Sequence, residues 1–223
     1  MRNAFEAVLF DMDGVTVDTA GAWRTLEENE ILPAATEPTV DIATIRALSV
    51  DDTYDKLRDL EEVDLRVDRN GLWELYDEHA QTVYGERATL FEGYHDLLDA
   101  IDAGGYSLGL VSASPRRWVQ IVLDRFDLEA RYNVIVTATD IDGPSKPDPT
   151  TYRVAARNLG VDPGRCLVVE DSPHGIESAT GAGAYCLALR GDGNADLDLS
   201  QADETVDAEG LRDRLGALLD RDL

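Results

Sequence analysis

Short apolar runs recur along this chain, separated by longer stretches in which apolar positions return every three or four residues. The runs are AVLF at 7–10, SLGLV at 107–111, NVIV at 133–136, CLVV at 166–169 and YCLAL at 185–189. Each is short and lacks strict apolar–polar alternation, the pattern of strands covered on both faces in a parallel sheet. Helical patterns lie between them. In SPRRWVQIVLDRF, Trp118, Ile121, Val122 and Phe126 share one face, with Ser114 as the expected N-cap and Pro115 in the first turn. In PTTYRVAARNLG, Tyr152, Ala155, Ala156 and Leu159 form a stripe that Gly160 closes. Leu97, Leu98 and Ile101 repeat the pattern ahead of Gly104 and Gly105. Such alternation predicts an α/β protein with a doubly wound parallel sheet.

The alternation breaks from about residue 19 to residue 86, where no run reads as a strand. Leu72, Leu75, Tyr76, His79, Ala80 and Val83 mark one amphipathic helix there. Trp23, Leu26 and Glu27 suggest another, and SVDDTYDKLRDL a third with Ser49 as its cap. The expected organisation is a core of residues 1–18 and 87–223 with a helical insertion at 19–86. The acidic, turn-rich segment after Arg190 reads as a loop before a last short strand and helix. No internal repeat is visible.

Composition narrows the class. The chain has 223 residues, 43% of them hydrophobic, enough for one domain with a sizeable insertion. No apolar run approaches the roughly 20 residues that span a bilayer. MRNAFEAVLFD carries one basic residue and runs straight into a strand, unlike a signal peptide. The expectation is a cytoplasmic protein that does not engage membranes. Cys166 and Cys186 sit in strand-like runs and read as small buried hydrophobes in a reducing compartment. Asp and Glu total 45 against 20 Lys and Arg, a net charge of −25, and only Lys56 and Lys146 are lysine. No basic face is available to neutralise nucleic-acid phosphates. Self-repulsion on this scale is tolerable where salt screens it, and the composition resembles that of haloarchaeal proteins.

Chemistry in an open parallel sheet collects beyond the carboxyl ends of its strands. Asp11 and Asp13 follow the first run, and Ser112 and Ser114 the second. Lys146 lies in DGPSKPDP after the third, and Glu170 and Asp171 follow the fourth. Any one of these suits a cap or a turn; all four groupings on one edge point to a site. Converging carboxylates without a cation raise each other's pKa values. Oxygen ligands without Cys or His favour Mg2+ over zinc. Lys146, the Ser112 hydroxyl and backbone N–H groups at a helix N-terminus suit a phosphate. A carboxylate beside the metal can attack phosphorus, and Asp13 can serve as acid and then base.

These motifs resemble the haloacid dehalogenase superfamily. DMDGV is similar to its DxDG(T/V) nucleophile motif, VSAS to its second motif, SKPDP to its lysine motif and VVEDSPHGIESATGAG to its fourth. The resemblance covers essentially the whole chain. It implies a Rossmann-like core whose helical cap is inserted after strand one, between the first and second motifs. It also implies Asp11 as nucleophile and Asp13 as acid/base. Ser112 and Lys146 would bind the phosphoryl group, together with Asp13, Gly14 and Ala113. Asp11, the Asp13 carbonyl and Asp171 would ligate Mg2+, with Glu170 in or next to the shell.

Asp13 separates this chain from haloacid dehalogenases proper, which lack the second aspartate. The phosphonate-cleaving relatives use a cap lysine that Lys56 does not match. A Mg2+-dependent phosphatase acting on a small phosphorylated metabolite is the leading expectation. A sugar phosphomutase is the alternative, although Val50 stands where β-phosphoglucomutases carry an arginine, with Arg46 nearby. A catalytically silent binding protein on the same fold is disfavoured by the complete residue set. His79 reads as core, His95 and His174 as surface or packing residues, and Arg116 and Arg117 as solvated helix charges. Gly14 permits the turn out of the first strand. The sequence specifies neither the substrate nor the oligomeric state.

Overall fold

The five apolar runs become neighbouring strands. A computed structural model describes residues 5–46 and 48–221. Met1–Ala4, used in the reading against a signal peptide, and Ala47 lie outside the described residues. The main sheet contains β1 (Ala7–Phe10), β2 (Ser107–Val111), β3 (Val134–Val136), β4 (Cys166–Glu170), β5 (Tyr185–Arg190) and β6 (Glu204–Asp207). Their spatial order is β6-β5-β4-β1-β2-β3, and every pair is parallel. β1 is fully buried from Ala7 to Phe10, which explains its lack of alternation.

The order reverses between β1 and β4, so these strands flank the topological switch point. Phe10 pairs with Leu110 on one side and Val169 on the other. One residue further along, Asp11 is level with Val111 and Glu170, and Ser112 follows at once. Register alone therefore gathers the first, second and fourth motifs at one edge.

Helices cover the sheet for reasons legible in the chain. Pro173–Ala182 begins at Ser172, whose hydroxyl accepts from Gly175 N–H at 3.1 Å. Thr150–Leu159 ends at Gly160 in the left-handed region, φ 71°, as its stripe predicted. Tyr152, Ala155 and Ala156 pack with Ala7, Leu9, Val168 and Ile176 in one buried cluster. Both cysteines are free and buried.

The backbone divides into two compact units, Met1–Asp18 with Thr89–Leu223, and Thr19–Ala88. The inserted unit carries Ala20–Leu26, continued through Glu27–Ile31 and Leu32–Ala35, then Val50–Arg58 and Arg69–Thr82. Ser49 caps the second, its hydroxyl accepting from Asp52 N–H at 3.1 Å. Leu32, Ile45 and Leu57 form a small core of their own. Trp23 stacks near Tyr76 and Tyr84, with ring centroids 5.4 and 5.8 Å away.

Several local expectations need correcting. The insertion is not free of strands: Thr36–Glu37 pairs with Asp64–Leu65, a two-residue ladder too short to register as an apolar run. Helix Arg116–Arg125 buries Trp118, Val119, Val122 and Leu123, while Ile121 and Phe126 are only half-buried. Its buried stripe is two residues wide. Its N-cap is Pro115, not Ser114; Thr139 Oγ1 instead accepts from the Arg116 N–H at 3.2 Å. His79 is half-buried, its ring 3.6 Å from Glu30, rather than core.

Candidate active site

Lys146 is the centre of the carboxyl edge. Its ammonium, almost fully buried, donates to Asp11 Oδ1 at 2.6 Å, Glu170 Oε1 at 2.6 Å and the Val111 carbonyl at 3.0 Å. Those acceptors come from the ends of β1, β4 and β2, so a long loop residue ties three strands together. Burial works against the ammonium's charge, but Asp11 and Glu170 outweigh it and hold the pKa above its ordinary value.

Glu170 accepts on both oxygens. Tyr152 OH joins Lys146 on Oε1 at 2.7 Å, and Asp171 N–H and Ser172 OH reach Oε2 at 3.0 and 3.2 Å. A Cβ on Gly175 would collide with this carboxylate, so a residue without a side chain is required there. Asp171 contrasts with it: among the described residues, no N–H or O–H donates to its carboxylate. Its pKa stands well above 3.8, first through burial and then through the charges of Asp11, Glu170 and Asp13. Asp11 is likewise raised to about 7, chiefly by burial; Lys146 pulls it down while Glu170 and Asp13 push it up.

The turn after β1 brings the remaining groups in. Gly14, at φ 77°, allows the chain to fold back, with its N–H donating to the Val17 carbonyl at 2.8 Å. A side chain there would also fall on Asp171. Ser114 OH donates to Asp13 Oδ2 at 3.2 Å, and Ser114 N–H to the buried Ser112 Oγ at 3.0 Å. Asp11, Glu170 and Asp171 each offer an oxygen within 4.8 Å of the others. Three clustered acids, Asp11 and Glu170 buried and Asp171 half-buried with no donor among the described residues, fit a hard divalent cation.

A family model described as haloacid dehalogenase-like hydrolase matches residues 8–189. The chain belongs to this family. N-acetylmuramic acid 6-phosphate phosphatase of Pseudomonas aeruginosa is 30% identical over 196 residues, covering 85% of this chain and 83% of that protein. Phosphoglycolate phosphatase of Shigella boydii is 29% identical over 241 residues, covering 97% and 94%. The solved structure of CbbY from Rhodobacter sphaeroides in complex with phosphate superposes with a TM-score of 0.77. It is 23% identical and covers 91% of this chain and 93% of that one, a likeness of fold. As a haloacid dehalogenase-like hydrolase with phosphatases among its relatives, the protein is a phosphoric monoester hydrolase.

The fold brings Asp11, Asp13, Gly14, Ser112, Lys146, Glu170 and Asp171 to one edge, with Ala113 between the two serines. His95 and His174 fall on helices Tyr94–Ala103 and Pro173–Ala182, and neither side chain enters this hydrogen-bond network. Sequence reasoning missed Tyr152 and Ser172. Tyr152 was legible only as one member of an apolar stripe, and nothing in that pattern signals that its hydroxyl meets Glu170. Asn194 was missed as well: it is buried in the acidic tail and donates to the Asp171 carbonyl at 2.7 Å and the Leu189 carbonyl at 2.8 Å. Among the described residues, no helix is long and apolar enough to cross a membrane.

Proposed function

We propose that this hydrolase is a Mg2+-dependent phosphatase of a small phosphorylated metabolite, working through an aspartyl-phosphate on Asp11. The observation that carries the reading is Asp11 itself, a buried carboxylate held by Lys146 beside Asp171, whose carboxylate has no donor among the described residues. Asp11, the Asp13 carbonyl and Asp171 would hold the ion, with Glu170 alongside. Bound there, Mg2+ supplies positive charge to the cluster and to the phosphoryl oxygens.

The chain's own groups divide the remaining work. Lys146, the Ser112 hydroxyl and N–H groups around Gly14 and Ala113 hold the phosphoryl oxygens. Asp11 Oδ attacks phosphorus as the ester P–O bond breaks, and Asp13 gives the leaving oxygen its proton. Asp13 then takes a proton from water, which attacks the same phosphorus and releases inorganic phosphate with Asp11 regenerated. Glu170, saturated by its donors, orients Lys146. The inserted unit at 19–86 serves as the cap that excludes bulk water and selects the substrate. The net charge of −25 suits a cytoplasm of high salt.

Phosphate release from phosphorylated sugars, glycolate and nucleotides, measured in high KCl with Mg2+ or EDTA, tests the reading. Activity should require Mg2+. Asp11→Asn should lose about 1,000-fold or more in kcat while melting within a few degrees of the parent. Substantial turnover by that variant sinks the covalent route. Isomer formation from glucose 1-phosphate in place of phosphate release would make the enzyme a phosphomutase.

A further inference from the structure

A buried chain of hydroxyls runs away from the back of the site. Thr16 Oγ1 lies 2.7 Å from the Asp11 carbonyl oxygen and 2.9 Å from the Tyr94 hydroxyl, which lies 2.8 Å from the Tyr132 hydroxyl. Thr16, Tyr94 and Tyr132 are all buried. A carbonyl can only accept, so Thr16 gives its single proton to Asp11. Tyr94 must then donate to Thr16, and Tyr132 to Tyr94. The protons all point one way, toward the peptide that follows Asp11. Chains of aligned hydrogen bonds polarise one another, which stiffens the last link. Burial keeps both phenols protonated far above neutrality, so the chain stays intact across the working pH range.

The position of this chain in the fold adds a second argument. The Thr16 carbonyl accepts from Phe91 N–H at 3.2 Å, and Val17–Asp18 pairs with Thr89–Leu90. Tyr94 opens the helix that follows directly, and its ring packs edge-on against Phe10 of β1, centroids 5.6 Å apart. Thr16 and Tyr94 thus stand at the two points where the chain leaves and re-enters the sheet unit. Two hydrophobic residues could fill this space at least as favourably. A partnered hydroxyl chain ending on one backbone atom of the site does something packing does not: it sets the orientation of that peptide.

We propose that Thr16 is a positioning residue for Asp11, with Tyr94 and Tyr132 fixing the direction of its hydrogen bond. The proposal rests on the reading of Asp11 as nucleophile. Carboxylate misplacement by a fraction of an ångström lowers the rate of attack without weakening phosphate binding, which Lys146 and Ser112 carry.

Steady-state hydrolysis of p-nitrophenyl phosphate with Mg2+ in molar KCl, alongside thermal melting, tests it. Thr16→Val, which keeps the shape, should lower kcat about tenfold with KM within about twofold. Thr16→Ser, which keeps the hydroxyl, should return kcat to within about twofold of the parent. Tyr132→Phe, at the far end, should cost about two- to threefold. Full kcat in Thr16→Val, or Thr16→Ser as slow as Thr16→Val, overturns the positioning role. Should Thr16→Val fail to fold, Tyr132→Phe decides, and an unchanged kcat there overturns it. Asp11→Asn separates the two levels. Turnover in that variant removes the nucleophile reading beneath the proposal, whereas its inactivity beside a fully active Thr16→Val removes the proposal alone.

Discussion

The carboxyl edge of the sheet and the inserted helical unit both carry carboxylate-to-cation contacts of similar length, and the two sets do different things. Lys146 meets Asp11 and Glu170 at 2.6 Å with its side chain 5% exposed. Arg69 meets Asp55 at 2.6 Å and Asp51 at 2.9 Å with its side chain 38% exposed. Water and salt screen the second cluster, so each pair contributes little. The first has no such screening, and removing one partner strands the others. Distance does not rank these contacts; burial does.

Lys146→Met should break that contrast most sharply. It leaves Asp11 and Glu170 facing each other without a cation, and should cost about 3–5 kcal/mol in denaturant unfolding above neutral pH, with activity lost. A cost below about 1 kcal/mol would place the buried cluster on a par with the exposed one.

Next in size is a pH effect confined to the metal-free protein. Folded Asp11 keeps its proton up to about 7, against 3.8 unfolded, and Asp171 is shifted the same way. Between those values the folded state binds more protons, so stability falls as pH rises through that window. Melting in EDTA should show the fall, and Mg2+ should flatten it by favouring both carboxylates. Asp11→Asn should remove its share of the slope; an unchanged slope would assign it to general surface repulsion.

Salt should act on the exposed charge of the whole chain rather than on the buried cluster. Dilution from molar KCl should lower the melting temperature, because the net charge of −25 is then unscreened. The cost of Lys146→Met should barely follow that change. Melting that is equal in dilute buffer and molar KCl counts against the high-salt reading. The smallest effect belongs to Arg69→Ala, within about 1 kcal/mol by urea unfolding and smaller still at high salt. A larger loss would mean that Asp51 and Asp55 depend on Arg69 for more than screened charge.

The core strands were legible because burial on both faces leaves continuous apolar runs such as AVLF, which no helix period explains. β6 was harder: its ETVD alternates in exposure at the sheet edge, and only its place after the acidic loop hinted at it. Asp11, Asp13, Lys146, Glu170 and Asp171 stood out only as a set: each alone suits a cap or a turn, but polar groups following successive strands of a parallel sheet collect at one edge. Ser114 was misread as a cap, since its preference for helix starts is local while its partner, Asp13, is a hundred residues away in the chain.

By itself the sequence determined the strand–helix alternation, the polar groups at the strand ends and the interruption near residue 19. Each follows from local preference, period and chain order, which a linear pattern carries. Only the tertiary structure decided which carboxylates share Lys146, that Asp171 has no donor among the described residues, and that Tyr152, Asn194 and Thr16 stand behind the site. Those outcomes depend on strand register and on which buried atoms meet across distant segments, and no pattern within one segment encodes that.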